Sequence, residues 1–237
     1  MGTNEHTRSL SGNLRHKVPN HVYDKLKLLS SKLSVTRNTI LEVVWGLLIQ
    51  RFNYTSDAVF GKVVSGRNLE IENIGEIVGM LINTIPTRIS VENEETIEEL
   101  ILKNKQQVFQ GQHYQCVSPS AIQKWLNRRT PLFSTVYSYS SFVSENQLFE
   151  FADGVTLQVC DGVENASYDI SCMIHDTGDY MAFQISFDIE KFSDDTIENL
   201  LQTMENILEY ICFYPEHKVK DIQVLNQEQL RKLYLKN

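Results

Sequence analysis

Residues 39–52, TILEVVWGLLIQRF, constrain the architecture more than any other stretch. Apolar side chains recur on nearly every side of a helix drawn through them, with Glu42 breaking the run. A helix that is apolar all round must be covered all round, by a sheet or by other helices. The run falls short of the roughly 18–20 apolar residues of a membrane span, and Gln50 and Arg51 close it. It predicts a central buried helix opening near Thr36.

The flanking periodicities supply the other layers. Val22, Leu26, Leu29 and Leu33 recur at helical spacing behind Asn20, an N-cap residue type. Residues 58–65 and 84–91 read as strands. Residues 94–112 read as a helix with Ile97, Leu100, Ile101, Val108 and Phe109 inward, its Glu-rich first turn suiting the positive end of the helix dipole. A shorter helix fits 119–126, with Pro in its first turn. PLFSTVYSYSSF and residues 149–160, 166–175 and 180–187 read as strands. Asp153-Gly154, Asp161-Gly162 and Thr177-Gly178-Asp179 supply turns, the last a hairpin connection. A last long helix opens at Ser193 and carries the stripe Ile197, Leu200, Leu201, Met204, Ile207, Leu208 and Ile211. After Pro215 the chain reads as an extended tail ending in a short helix. This order gives an α/β fold, a layered mixed β-sheet with helices.

The 237 residues, 42% hydrophobic and 22% charged, suffice for one large domain or two small ones. A net charge of −8 argues against general nucleic-acid or anionic-membrane binding, which needs a basic field. The first 13 residues lack a signal peptide's apolar stretch and read as a linker remnant. Cys116, Cys160, Cys172 and Cys212 form no C-x-x-C and none stands at zinc-ligand spacing from a histidine. They read as reduced, buried thiols of a cytoplasmic protein with no metal centre.

The chemistry-bearing stretch is residues 58–89. Two apolar strand-like runs flank a polar middle with Gly61, Gly66, Gly75 and Gly79, the pair Ser65 and Arg67, and Asn83 inside an apolar run. Such a mixture suits backbone that approaches a ligand. It is neither a G-x-S-x-G nucleophile elbow nor a P-loop. His175 and Asp179 could form an acid–base pair, but Gly178-Asp179 marks a turn and leaves His175 at a strand end. The residues alone give a ligand-contacting segment and no complete catalytic set.

The longer pattern resembles the C-terminal half of condensation domains from nonribosomal peptide synthetases. It comprises Trp45 on its helix, Phe60, Gly61, Ser65, Gly66 and Arg67 as F-G-x-x-x-S-G-R, and Val78, Gly79, Asn83, Thr84, Pro86 and Arg88 as V-G-x-F-V-N-T-x-P-x-R, with Leu81 in place of the phenylalanine. Arg128, Pro131, Leu132 and Phe133 resemble a further R-x-x-x-P-L-F block, and His113 stands where the family often has a histidine. No His-His pair occurs, so the family's H-H-x-x-x-D-G motif is absent.

The resemblance implies one lobe of a two-lobed, chloramphenicol-acetyltransferase-like fold over residues 14–215. Residues 216–237 would then begin the linker toward an adenylation domain. The implied activity is amide-bond formation between carrier-bound thioesters, with the catalytic histidine on the N-terminal lobe and none in this chain. Ser65, Gly66, Arg67 and Asn83 would line the substrate tunnel. Trp45, Gly61, Gly79, Pro86 and Arg88 would be structural. The implied partners are peptidyl carrier proteins bearing 4′-phosphopantetheine, the N-terminal lobe and the adenylation domain, with no cofactor bound directly. An epimerisation lobe and a non-catalytic carrier-docking module share the pattern.

Overall fold

The computed structural model describes residues 11–67, 71–141, 148–150, 156–158 and 168–222. Its centre is a six-stranded mixed sheet in the order β1-β8-β7-β4-β2-β3, formed by Ser11–Lys17, Met181–Asp188, Ile170–Asp176, Thr135–Ser140, Asp57–Val64 and Asn83–Ser90. The β2, β4 and β7 strands run parallel, whereas β1, β8 and β3 run antiparallel to their neighbours. Leu148–Glu150 (β5) and Thr156–Gln158 (β6) form a separate antiparallel pair. The turns expected at Asp153-Gly154 and Asp161-Gly162, Cys160 and the C-terminal helix lie outside the described residues.

Helix α2 (Arg37–Asn53) is the buried element its composition requires. Ile40, Leu41, Val43, Val44, Trp45, Leu47 and Leu48 are all buried. It lies against the sheet and against α5 (Asp194–Phe213) and α3 (Ile97–Gly111), while α1 (Asn20–Leu33) covers α5 and α2. The short α4 (Pro119–Trp125) stands where the sequence predicts a helix over 119–126. Thr36 caps α2, its hydroxyl accepting from Thr39 N at 3.1 Å, and Ser193 caps α5 in the same way. The third helix starts later than its glutamates suggest. Thr96 and Glu99 form a reciprocal capping box that sets its first turn at Ile97.

On β7 and β8 every second residue faces the helices. Ile170, Cys172, Ile174, Phe183, Ile185 and Phe187 are buried, whereas Ser171, Met173, His175, Gln184 and Ser186 are half-buried on the other face. The hairpin between them closes through Thr177 N to Tyr180 O at 3.1 Å, with Gly178 at φ +90°. The stretch 149–160, read as one strand, holds β6 and part of β5, which pair with each other, and the sequence reading contains no β1. That first strand begins within the stretch read as linker and pairs along its whole length with β8. Beyond α5, the residues after Pro215 are stitched to the start of α3: Ile97 N donates to His217 O at 2.9 Å, Glu98 N to Pro215 O at 2.8 Å and Val219 N to Glu95 O at 2.9 Å.

Two of the free cysteines, Cys172 and Cys212, are buried as expected, and burial pushes the Cys212 thiol up to about 12. Cys116 departs from the expectation. It is exposed, because the short turn that follows α3 lies at the surface. Among the described residues no helix is long and apolar enough to cross a membrane.

Candidate functional site

The motif residues converge on the β2–β3 hairpin and the loop between its strands. Gly61 and Pro86 stand opposite each other in the register, and the ring of Phe133 fills the space over Gly61. A Cβ at Gly61 would come within 2.4 Å of that ring, so any side chain there would displace it. The F-G block and the P-L-F block are thus two sides of one contact. Arg88 forks onto Asp57 across the hairpin, Nε and Nη2 each 2.8 Å from a carboxylate oxygen, which holds the Asp57 carboxyl below its ordinary range.

At the end of β2 the chain turns sharply. Gly66 has φ +67°, and a Cβ there would lie 1.9 Å from Leu81 O, so glycine is required on both counts. Arg67 reaches back into its own loop, Nη1 donating to Ile74 O at 2.8 Å and to Ile77 O at 3.1 Å. Asn83 Nδ2 donates to Gln115 O at 2.7 Å and to Val117 O at 2.9 Å, pinning the segment after α3 onto β3. Ser65 is exposed and accepts from Arg67 N at 3.3 Å, which leaves its O–H free to donate outward among the described residues. The four residues singled out in sequence therefore lie together, but Arg67 and Asn83 direct their donors to backbone carbonyls. Gly79 meets nothing within 4 Å, and its neighbours Val78 and Met80 are 100% and 90% exposed.

Trp45, on α2, is buried. His113 is exposed in the turn after α3. His175 lies on β7, its Nε2 2.8 Å from Gln184 Oε1, and burial lowers its pKa. It forms no pair with Asp179, as the turn reading requires. Among the described residues no group of His, Cys, Asp or Glu could hold a metal ion.

Two buried polar centres escape the sequence reading. Asp176 accepts from Tyr23 Oη at 2.6 Å, Tyr139 Oη at 2.5 Å, Arg37 Nε at 2.8 Å and Gly178 N at 3.1 Å. Burial, with this carboxylate beside it, pushes the Tyr139 phenol up to about 12. Glu42, on α2, is fully buried against Lys62 Nζ at 2.6 Å and Asn38 Nδ2 at 2.8 Å. The signal for the second centre was Glu42 itself: a charge inside a helix apolar all round demands a buried partner.

The motif turn, serine-glycine-arginine, thus stands at one end of the β2–β3 edge of a mixed sheet layered with helices, an α/β fold. A family model described as Condensation domain matches residues 3–234, and the chain belongs to that family. Bacitracin synthase 3 of Bacillus licheniformis is 25% identical over 221 residues, covering 92% of this chain and 4% of that protein. Tyrocidine synthase 2 of Brevibacillus parabrevis is 26% identical over 216 residues, 90% of this chain and 6% of that protein. The chain therefore spans a small fraction of these relatives. Among solved structures, a holo four-domain nonribosomal peptide synthetase bound to AMP and glycine superposes with a TM-score of 0.80 at 16% identity, over 92% of this chain and 18% of that one. The X-domain from teicoplanin biosynthesis gives 0.77 at 15% identity, over 93% of this chain and 52% of that one. The chain thus matches about half of a solved domain of this fold.

Proposed function

We propose that this chain is the C-terminal lobe of a condensation domain that joins carrier-bound acyl groups in nonribosomal peptide synthesis, working in the cytoplasm. The observation that carries the reading is the loop after β2. Beside the motif residues, Ile77, Val78, Met80 and Ile82 stand exposed, in a chain that matches about half of a solved domain. A run of this kind marks a surface that a partner covers, and the N-terminal lobe is that partner. In the reaction the amine of an acceptor aminoacyl thioester attacks the donor thioester carbonyl. A C–N bond forms, the C–S bond breaks, and the proton lost by nitrogen ends on the departing sulfur.

This lobe supplies one wall and no acid–base group. The phosphopantetheine arms belong to the carrier proteins and act as substrates. Of the four tunnel candidates, Ser65 is the one whose hydroxyl can donate to a substrate. Gly66, Arg67 and Asn83 set its position by shaping the turn and its support. An adenylation domain after the tail completes the module.

In the complete two-lobed domain, Ser65→Ala should weaken acceptor or donor binding and so raise KM, with kcat little changed, in a dipeptide-forming assay with loaded carriers. The 237-residue chain alone should form no dipeptide. Unchanged kinetics for Ser65→Ala would remove Ser65 from the wall, and dipeptide formation by the isolated chain would overturn the reading of the lobe.

A further inference from the structure

The apolar stripe of α3 outruns the core it packs on. Ile97, Leu100 and Ile101 are at 0–1% exposure, and the stripe continues into Val108 and Phe109, which the sequence predicts inward. Phe109 instead stands 70% exposed. It borders a groove of about 520 Å³ between this end of α3 and the segment that enters α2. That volume falls within the roughly 300–1,000 Å³ of ordinary ligand sites, and the proposed reaction makes no use of it.

Val35, Val108 and Phe109 supply the apolar lining, and Lys105, Gln106 and Gln112 most of the polar lining. Phe109, Lys105, Gln106 and Gln112 are exposed, so an occupant of the groove can reach them. Thr36 and Asn38 also border it, but their side chains are already engaged. Thr36 Oγ1 bonds with Thr39 Oγ1 at 2.8 Å, and Asn38 serves Tyr137 and Glu42. Lys105 and Phe109 stand one helical turn apart on α3, which makes the ammonium and the ring neighbours on one face.

Charge selects the class of occupant. From Leu100 to Ser144 the sequence contains no Asp or Glu, although the whole chain has a net charge of −8. No carboxylate lines the groove among the described residues. Arg37, at the start of α2, is spent on Asp176 at 2.8 Å. Lys105 forms no ion pair among the described residues and is the one cation of the lining given for them. A cation is therefore repelled, and a neutral molecule gains nothing from Lys105. An anion gains, provided an apolar body covers Val35, Val108 and the ring of Phe109, which favours stacking or edge contact with another ring. We propose that this groove binds a small aromatic carboxylate, its ring against Phe109 and its carboxylate accepting from Lys105 Nζ. The inference stands on the groove alone and holds whether or not the lobe serves condensation.

The test is a titration of the ¹⁵N-labelled 237-residue chain with 3-phenylpropionate and, separately, with 3-phenylpropanamide, which has the same shape and no charge. Saturable shifts are expected at the backbone amides of Val35, Val108, Phe109 and Gln112. At low salt the amide should bind about threefold or more weakly than the acid. Lys105→Gln should close that gap by weakening the acid alone, and Phe109→Ser should weaken both compounds by about tenfold or more. Both replaced side chains are exposed, so these variants keep the fold. The proposal is overturned if 3-phenylpropionate gives no saturable shift at these residues or if the amide binds as tightly. It is overturned equally if Lys105→Gln leaves the gap in place, or if Phe109→Ser leaves both affinities unchanged.

Discussion

Lys62→Met removes a charge from the interior without removing much volume. Glu42 is then a carboxylate at 0% exposure whose remaining donors are Asn38 Nδ2 at 2.8 Å and Asn104 Nδ2 at 3.3 Å. Breaking a buried ion pair on one side costs about 3–5 kcal/mol, because the charge left behind is uncompensated. Two amide donors persist, which places the expected loss near 3 kcal/mol at neutral pH, or a fall in Tm of about 6–12 °C for a chain of this size. Adding Glu42→Gln, which keeps an acceptor for Asn38 but no charge, should bring the pair of substitutions back to within about 1 kcal/mol of the parent. Urea unfolding of the parent and these variants at neutral pH measures both quantities. A Lys62→Met deficit below about 1 kcal/mol, or one that Glu42→Gln fails to relieve, would refute the argument.

The other expectations concern the motif loop and the tail. Asn83→Ala frees the carbonyls of Gln115 and Val117 and should cost about 1–3 kcal/mol, with faster amide exchange confined to the segment after α3. Asn83→Asp, which sets a carboxylate against two carbonyl oxygens, should cost more, and equal stability of all three proteins would show that these bonds do not hold the segment. The exposed Glu94 carboxyl is held at about 2 by hydrogen bonds and charge from Lys218 and Lys220. A depressed carboxyl contributes stability above its unfolded pKa of about 4.5 and loses it as pH falls through its folded one. Protection of the Val219 amide should accordingly drop between about pH 5 and pH 2 and weaken with salt, whereas Glu94→Gln should show neither dependence.

The elements easiest to find in the sequence were those whose pattern is complete in itself. The α2 and α5 helices announce themselves because a full set of apolar positions lies within one segment, and β2 and β3 because two β-type runs flank a glycine-punctuated middle. The β1 strand does not, since SGNLRHK offers one apolar residue, Leu14, and its strand character comes from pairing with β8. The site divides along the same line. The motif segment could be located from its composition. The tasks of Gly61 and Asn83 could not, because their partners arrive from elsewhere in the chain: Phe133 over Gly61, Gln115 and Val117 under Asn83. Glu42 was visible as a blemish in an apolar helix, but nothing local points to Lys62 or Asn104 as what completes it.

The pairing of β1 with β8 joins Ser11 to Asp188, so one edge of the sheet closes across nearly the whole described chain. The opposite edge, β2 with β3, closes over the 18 residues between Val64 and Asn83. Loop-closure entropy grows with the length of chain enclosed, so the two edges differ in the order in which they can form. During synthesis the motif hairpin has both its strands long before β8 exists, whereas β1 waits for β8 across all the elements between them. Until then the inward faces of β7 and β4 have no completed sheet around them, which places their greatest exposure to misassociation in the interval before β8 is made.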